Sequence, residues 1–259
     1  EVAGVSSHAI SIKVNGVTLS RVLIDTGAAT SYFSKVAAAK AKIDFKVDVH
    51  SGTLGSKKQL AHAAFADEIQ LGDFTLSTIP LLVGESDFLA ANNLQGVIGI
   101  DLMHRLQFSV DYAKLTVELA EAGSAFPKSK GYKKAWDIPL WSFPESTLTQ
   151  ARLGKKEWAR VLIDSGSYQS SFVRASWAKT HFVKRSGPGV SKSSKTDSFA
   201  VRGISIAGKA LSKWPVAMVA NKQASLRGFD MLLGHDFVNK YRMSIDLKRR
   251  ILRLEASSK

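Results

Sequence analysis

Cysteine is absent from the 259 residues. That excludes disulfides, thiolate metal ligands and a cysteine nucleophile. No apolar run approaches the roughly 18–20 residues that a membrane-spanning helix needs, and no secretory leader is visible. The chain opens on Glu1 rather than Met, which reads as a trimmed or mature form. With the missing cysteine, this leans towards a periplasmic or secreted protein, with the cytoplasm as the alternative. The six histidines (His8, His50, His62, His104, His181 and His235) fall at no metal-ligand spacing, so neither metal nor cofactor is expected. Ser165 does not sit in a Gly-x-Ser-x-Gly elbow. The segment Gly187-Pro188-Gly189-Val190-Ser191-Lys192 lacks the spacing of a phosphate-binding loop. Acidic residues are scarce beside basic ones, 22 against 36, for a formal charge of +14. Such an excess draws anionic surfaces non-specifically. The densest basic groups, Lys128 to Lys134 and Asp246 to Arg250, do not interleave aromatics as single-strand binders do. A nucleic-acid-binding β protein would lose affinity steeply with salt, but no motif supports one.

What the chain does contain is a repeated text. RVLIDTGAATSYF runs from Arg21 to Phe33 and RVLIDSGSYQSSF from Arg160 to Phe172, placing Asp25 and Asp164 139 residues apart. A second pair of blocks follows in the same order, GVIGIDLMHRLQFSVDYAKLTVEL from Gly96 and DMLLGHDFVNKYRMSIDLKRRILRL from Asp230. Aligning Gly99 with Gly234 also aligns Asp101 with Asp236 and Asp111 with Asp246, each 135 apart. Two ordered matches at nearly one offset read as a tandem duplication. The expected lobes are residues 1–122 and 140–259, joined by a connection over 123–139. At 259 residues, two lobes of about 120–130 are each long enough to bury a core.

Both halves read as mostly β. Asn15-Gly16 stands between two alternating runs, a hairpin signal, and the second half turns near Gly154. Val22-Leu23-Ile24 and Val161-Leu162-Ile163 are continuous apolar β-formers, as expected of strands buried on both faces. SKVAAAKAKI and RASWAKTHF read as short helices, and a further hairpin follows in each half. The five tryptophans (Trp136, Trp141, Trp158, Trp177 and Trp214) are assigned to the core or lobe interface, and Asp101, Asp111, Asp236 and Asp246 to turns or caps.

Asp25 and Asp164 each end a buried strand on a turn made by the next glycine. A carboxylate there is costly unless hydrogen-bonded or paired. If the halves pack about a pseudo-twofold axis, the two turns can meet on it. Two carboxylates at about 3 Å share one proton and titrate at split values. The ionised partner can draw a proton from water while the protonated one polarises a carbonyl, which suits amide hydrolysis.

The chain here resembles the aspartic proteases of the retroviral and pepsin type. The resemblance rests on Asp25-Thr26-Gly27-Ala28, Asp164-Ser165-Gly166-Ser167, and the apolar-apolar-Gly elements Val97-Ile98-Gly99 and Leu232-Leu233-Gly234. It implies an all-β, bilobal, pseudo-twofold fold with Asp25 and Asp164 as catalytic dyad. It implies that Thr26 and Ser165 hydrogen-bond across the lobes, and that Gly27 and Gly166 let the backbone approach the carboxylates. Flaps are implied at Gly52, Thr53, Leu54 and Gly55 and at Gly187 and Gly189, where no tyrosine of the pepsin kind occurs. The closest description is a single-chain retropepsin-like endopeptidase acting as a monomer on an extended polypeptide. A catalytically silent peptide-binding module is the alternative. Ser167 against Ala28 adds a further expectation: a serine donor would favour an ionised Asp164, leaving the shared proton on Asp25. The resemblance associates the alanine with a less acidic pH optimum. His235 follows Gly234 near the dyad and is expected to be structural.

Overall fold

The structure, a computed structural model, describes residues 9–51, 59–127, 131–143, 146–153, 157–167, 171–174, 184–185, 198–201, 204–210, 214–219 and 228–257. The first half opens on a hairpin of β1 (Ala9–Val14) and β2 (Val17–Ile24). Its turn residues Asn15 and Gly16 take φ of +48° and +77°. Positive φ at both central positions matches the right-handed twist of the strands and is what an Asn-Gly pair allows. There follow β3 (Tyr32–Ser34), α1 (Lys35–Lys40), β4 (Phe45–Ser51), β5 (Gln59–Leu71), β6 (Phe74–Gly84), α2 (Asp87–Ala91) and β7 (Gly96–Ile98). Ser34 starts α1 by accepting the N–H of Ala37 on its hydroxyl, a side-chain cap. The sheet order is β1-β2-β7-β3-β6-β5-β4, with β1 also pairing β5.

Beyond α3 (Ile100–Met103) come β8 (Leu106–Asp111), β9 (Thr116–Glu121) and β10 (Tyr132–Pro139). The second half continues through β11 (Trp141–Phe143), β12 (Ser146–Leu153), β13 (Glu157–Ile163), β14 (Phe172–Arg174), β15 (Lys184–Arg185), β16 (Ser198–Val201), β17 (Ile204–Ile206), β18 (Lys209–Ala210), β19 (Trp214–Val219) and β20 (Met231–Leu233). It closes with α4 (His235–Val238), β21 (Tyr241–Asp246) and β22 (Ile251–Ser257). Its sheet runs β15-β16-β19-β14-β20-β13-β12-β17-β18, with β11 on β12. The two halves therefore build corresponding sheets, and the architecture is the all-β, bilobal one expected.

A third sheet, β10-β22-β21-β8-β9, takes strands from both halves. At its centre β8 and β21 run antiparallel, with Ser109 opposite Ser244. Their hydroxyls hydrogen-bond at 2.7 Å. These serines are equivalent at the 135-residue offset, so the pseudo-twofold axis passes between them. The connection expected over 123–139 is in part a strand: residues 132–139 form β10, which pairs along β22 from Tyr132 to Pro139. Arg242 on β21 is fully buried, and its guanidinium joins Glu255 of β22 to Glu118 of β9, an ion pair across the halves. One continuous core, with Leu19, Phe33, Ile69, Leu81, Phe108, Phe237 and Met243 among its buried members, spans both halves.

The expectation for tryptophan is corrected in two places. Trp136 packs edge-on against Tyr241 at 5.0 Å, but Trp141 and Trp158 are 47% and 60% exposed. Alternation explains Trp158: its hairpin neighbours Ala151 and Ala159 turn inward and are buried, so Arg152 and Trp158, paired in register, turn out. Trp177 and the side chain of Trp214 lie outside the described residues.

Candidate active site

Each half makes its turn by the same local construction. β2 pairs in parallel with β7, and β13 with β20. The N–H of Asp25 donates to the carbonyl of Ile98 at 3.0 Å, and that of Asp164 to Leu233 at 2.9 Å. The turn is then held from behind. Ile100 N–H donates to Ala28 O at 2.9 Å, and His235 N–H to Ser167 O at 2.8 Å. The backing glycine is required in the first half, where a Cβ at Gly99 would meet the carbonyl oxygen of Ala28 at 2.8 Å.

The two turns meet tip to tip. The Thr26 hydroxyl donates to Ile163 O at 2.7 Å and accepts the Ser165 N–H at 3.0 Å. Reciprocally, the Ser165 hydroxyl donates to Ile24 O at 2.9 Å and accepts the Thr26 N–H at 3.0 Å. Both side chains are buried. Gly27 lies against the opposite carboxyl: a Cβ there would sit 2.4 Å from Asp164 Cγ. One at Gly166 would sit 2.2 Å from Asp25 Cγ. Glycine is thus needed for close approach rather than for its φ. The carboxyls of Asp25 and Asp164 hydrogen-bond each other. The structure therefore brings together Asp25, Thr26, Gly27, Ala28, Asp164, Ser165, Gly166 and Ser167 in one cross-braced cluster.

Burial pushes both carboxyls above the ordinary aspartate range. Asp164 rises well above it, through burial first and then through the charge of Asp25 and the hydrogen bond they share. That same bond, with the N–H groups of Gly27, Gly166 and Ala28, works to lower Asp25. Asp164 receives the N–H groups of Gly166 and Ser167, both at 2.9 Å. Asp25 receives the Gly27 N–H at 2.7 Å, and the two carboxyls titrate as one unit rather than as separate acids.

Two serines at the site were missed. Ser31 accepts the Gly99 N–H at 3.1 Å and donates to Asp101 at 2.7 Å. Ser171 accepts the Gly234 N–H at 3.1 Å and donates to Asp236 at 2.8 Å. They tie each turn's far end to its backing element, and they give Asp101 and Asp236 their structural task. Ungapped alignment of the two segments pairs Ser31 with Ser170 and Phe33 with Phe172. The strand register instead matches Tyr32 with Phe172 and Phe33 with Val173. The second turn is one residue longer, and the shared terminal Phe is a coincidence of spelling. Asp111 and Asp246 accept turn N–H groups, as expected of caps.

Ser51 pairs with Gln59, so residues 52–58 connect β4 to β5. The flap candidates Gly52, Thr53, Leu54 and Gly55 fall there, and Gly187 and Gly189 follow β15; all six lie outside the described residues. Among the described residues, no group of three or more His, Asp or Glu is placed to hold a metal ion.

Residues 10–102 match the family model for aspartyl proteases. No curated protein matches the chain by sequence. Among solved structures, the aspartic proteinase of Irpex lacteus is similar with a TM-score of 0.57 at 13% identity, covering 96% of this chain and 93% of that one. This second likeness is one of fold.

Proposed function

We propose, from a family match and a fold that support the pepsin- and retropepsin-like aspartic proteases, that the chain is an aspartic endopeptidase hydrolysing extended polypeptides. The observation that carries the reading is the mutual hydrogen bond of the Asp25 and Asp164 carboxyls, each with the other turn's glycine against it. The ionised carboxyl of the Asp25–Asp164 pair takes a proton from a water as its oxygen attacks the scissile carbonyl carbon. The protonated carboxyl gives its proton to the carbonyl oxygen, so a tetrahedral diol forms. The diol collapses as the first carboxyl passes its acquired proton to the amide nitrogen, the C–N bond breaks and a diol hydroxyl returns a proton to the second carboxyl, leaving acid and amine with the pair again sharing one proton. No covalent intermediate forms.

The two turns lie in one chain, which supports action as a monomer. The matched blocks support an origin by tandem duplication of one lobe. A flap at Gly52 to Gly55 belongs to the same reading, and a periplasmic or secreted location suits a cysteine-free chain. The test is cleavage of an unfolded protein and a peptide library across pH 3–8, with Asp25→Asn and a statine-type inhibitor as controls. Cleavage abolished by either supports the reading. Peptide binding without cleavage at any pH makes the chain a silent binding module and overturns it.

A further inference from the structure

Strand alternation joins the dyad to a groove on the second half's sheet. In β13 the side chains of Ala159, Val161 and Ile163 enter the main core. Trp158, Arg160 and Leu162 therefore share the opposite face, and the same alternation reaches Asp164 one step past the strand. β12 lies in register beside it, with Arg152 opposite Trp158, Gln150 opposite Arg160 and Leu148 opposite Leu162. β17 adds Ser205 opposite Arg152, and β11 adds Trp141 opposite Leu148. Near the dyad this face is apolar, where Leu148 and Leu162 pack with Phe229, Leu232 and Phe172. Farther out it forms a groove of about 500 Å³ lined by Trp141, Gln150, Arg152, Trp158 and Ser205 and bordered by Gly208.

The lining states what the groove would hold. Both indoles are exposed, so each offers a wide, stiff apolar surface; Trp and Arg are the side chains that most often dominate protein recognition. The Arg152 guanidinium lies over the Trp158 ring, 5.9 Å from its centroid. Among the described residues, Arg152 is the charged side chain of the lining and no carboxylate joins it. Apolar side groups and negative charge complement such a surface, and the chain's +14 draws acidic polymers towards it. The duplicated fold does not call for an exposed tryptophan here. The first-half residue 139 before Trp158 is Leu19, which is fully buried.

We propose that this groove is an exosite, holding an acidic segment of the polypeptide whose scissile bond lies at the dyad. This rests on the aspartic-endopeptidase reading and adds a substrate class to it, acidic unfolded polypeptides. Trp158 precedes Asp164 by six residues of strand, a span of about 20 Å at roughly 3.3 Å per residue. The acidic segment therefore sits about six residues or more from the bond that is cut.

The experiment places Trp158→Ala and Arg152→Gln in the full chain; both side chains are exposed, and melting curves check that each variant folds. The probe is dephosphorylated casein, an acidic unfolded protein, labelled for fluorescence anisotropy. Binding is read in the Asp25→Asn background, so it needs no cleavage. Trp158→Ala should weaken casein about tenfold and Arg152→Gln about fivefold. Casein whose carboxyls have been amidated should no longer sense Arg152→Gln. In the active chain, Trp158→Ala should raise KM for casein by about the factor lost in binding, with kcat held within about twofold. Binding that neither variant alters overturns the proposal, as does amidated casein that responds to Arg152→Gln as casein does. Polygalacturonate bound through Trp158 more tightly than casein also overturns it, making the groove a polysaccharide site. The two readings fail separately. Casein held through the groove but never cut leaves the acidic-polypeptide site standing and ends the protease reading; casein cut with one KM by all variants does the reverse.

Discussion

The turn at Asp25 and the turn at Asp164 share their strand pairing, their backing bond and their crossed hydroxyl-to-carbonyl bonds, yet the surroundings of the two carboxyls differ. In the first, the Asp25 carboxylate receives the Gly27 N–H at 2.7 Å. In the second, Asp164 is 9% exposed and receives the N–H groups of both Gly166 and Ser167 at 2.9 Å. Symmetry of backbone brings the carboxyls together; asymmetry of neighbours makes them unequal. A symmetric pair could bind a proton, but only an unequal one assigns it.

The largest test of this comparison removes each carboxyl in turn. Asp25→Asn and Asp164→Asn should each lower kcat by about 10³-fold or more, since acid and base act as one unit. Stability should move the other way. Both folded pKa values lie above the unfolded value, so the stability these groups contribute is full at pH below the unfolded pKa. It is lost as pH rises through the folded values. At pH 7 either Asn variant should therefore melt higher than wild type, by roughly 2–4 °C per kcal/mol relieved. A lower melting temperature for both would break the account of burial.

Next come the glycines. Gly27→Ala and Gly166→Ala put a methyl 2.4 Å and 2.2 Å from the opposite carboxyl carbon. Overpacking of this kind costs about 1–3 kcal/mol and should part the carboxyls, so inhibitor affinity falls alongside melting temperature. Equal losses sharpen the twofold picture; a loss at one alone breaks it.

Third, Ser165→Ala and Thr26→Val should cost alike, since their bonds are reciprocal. Each removes a buried cross-lobe donor, worth about 1–3 kcal/mol when the partner is left unpaired. Calorimetry of the two variants checks the match; a clear difference would break the twofold picture.

The smallest effect is expected from Ala28→Ser. A second-turn serine placed in the first turn adds a donor beside Asp25, favours its ionised form and moves the acidic limb of the rate profile to lower pH by a few tenths. Movement to higher pH would overturn the role given to a donor at this position.

Much of this was legible beforehand. Asn15-Gly16 announced the first hairpin, and the strands ending at Asp25 and Asp164 followed from short β-branched runs. The eight turn residues were legible because the chain states them twice. What escaped was set by neighbours distant in sequence. β10 reads as a polar linker until β22 lies beside it. The extra residue in the second turn was hidden by a chance Phe. Ser31 and Ser171 looked like any loop serines, because their partners Asp101 and Asp236 lie 70 and 65 residues away.

The sheet closing on Ser109 and Ser244 has a consequence for how the chain can be cut. β8 and β9 precede residues 123–131; β10, β21 and β22 follow them. A nick there severs no rung of that ladder, and both carboxyl-bearing turns stay within their own pieces. Two separately made halves would thus carry complementary edges, and mixing them should regenerate a working site at a rate that depends on their concentration.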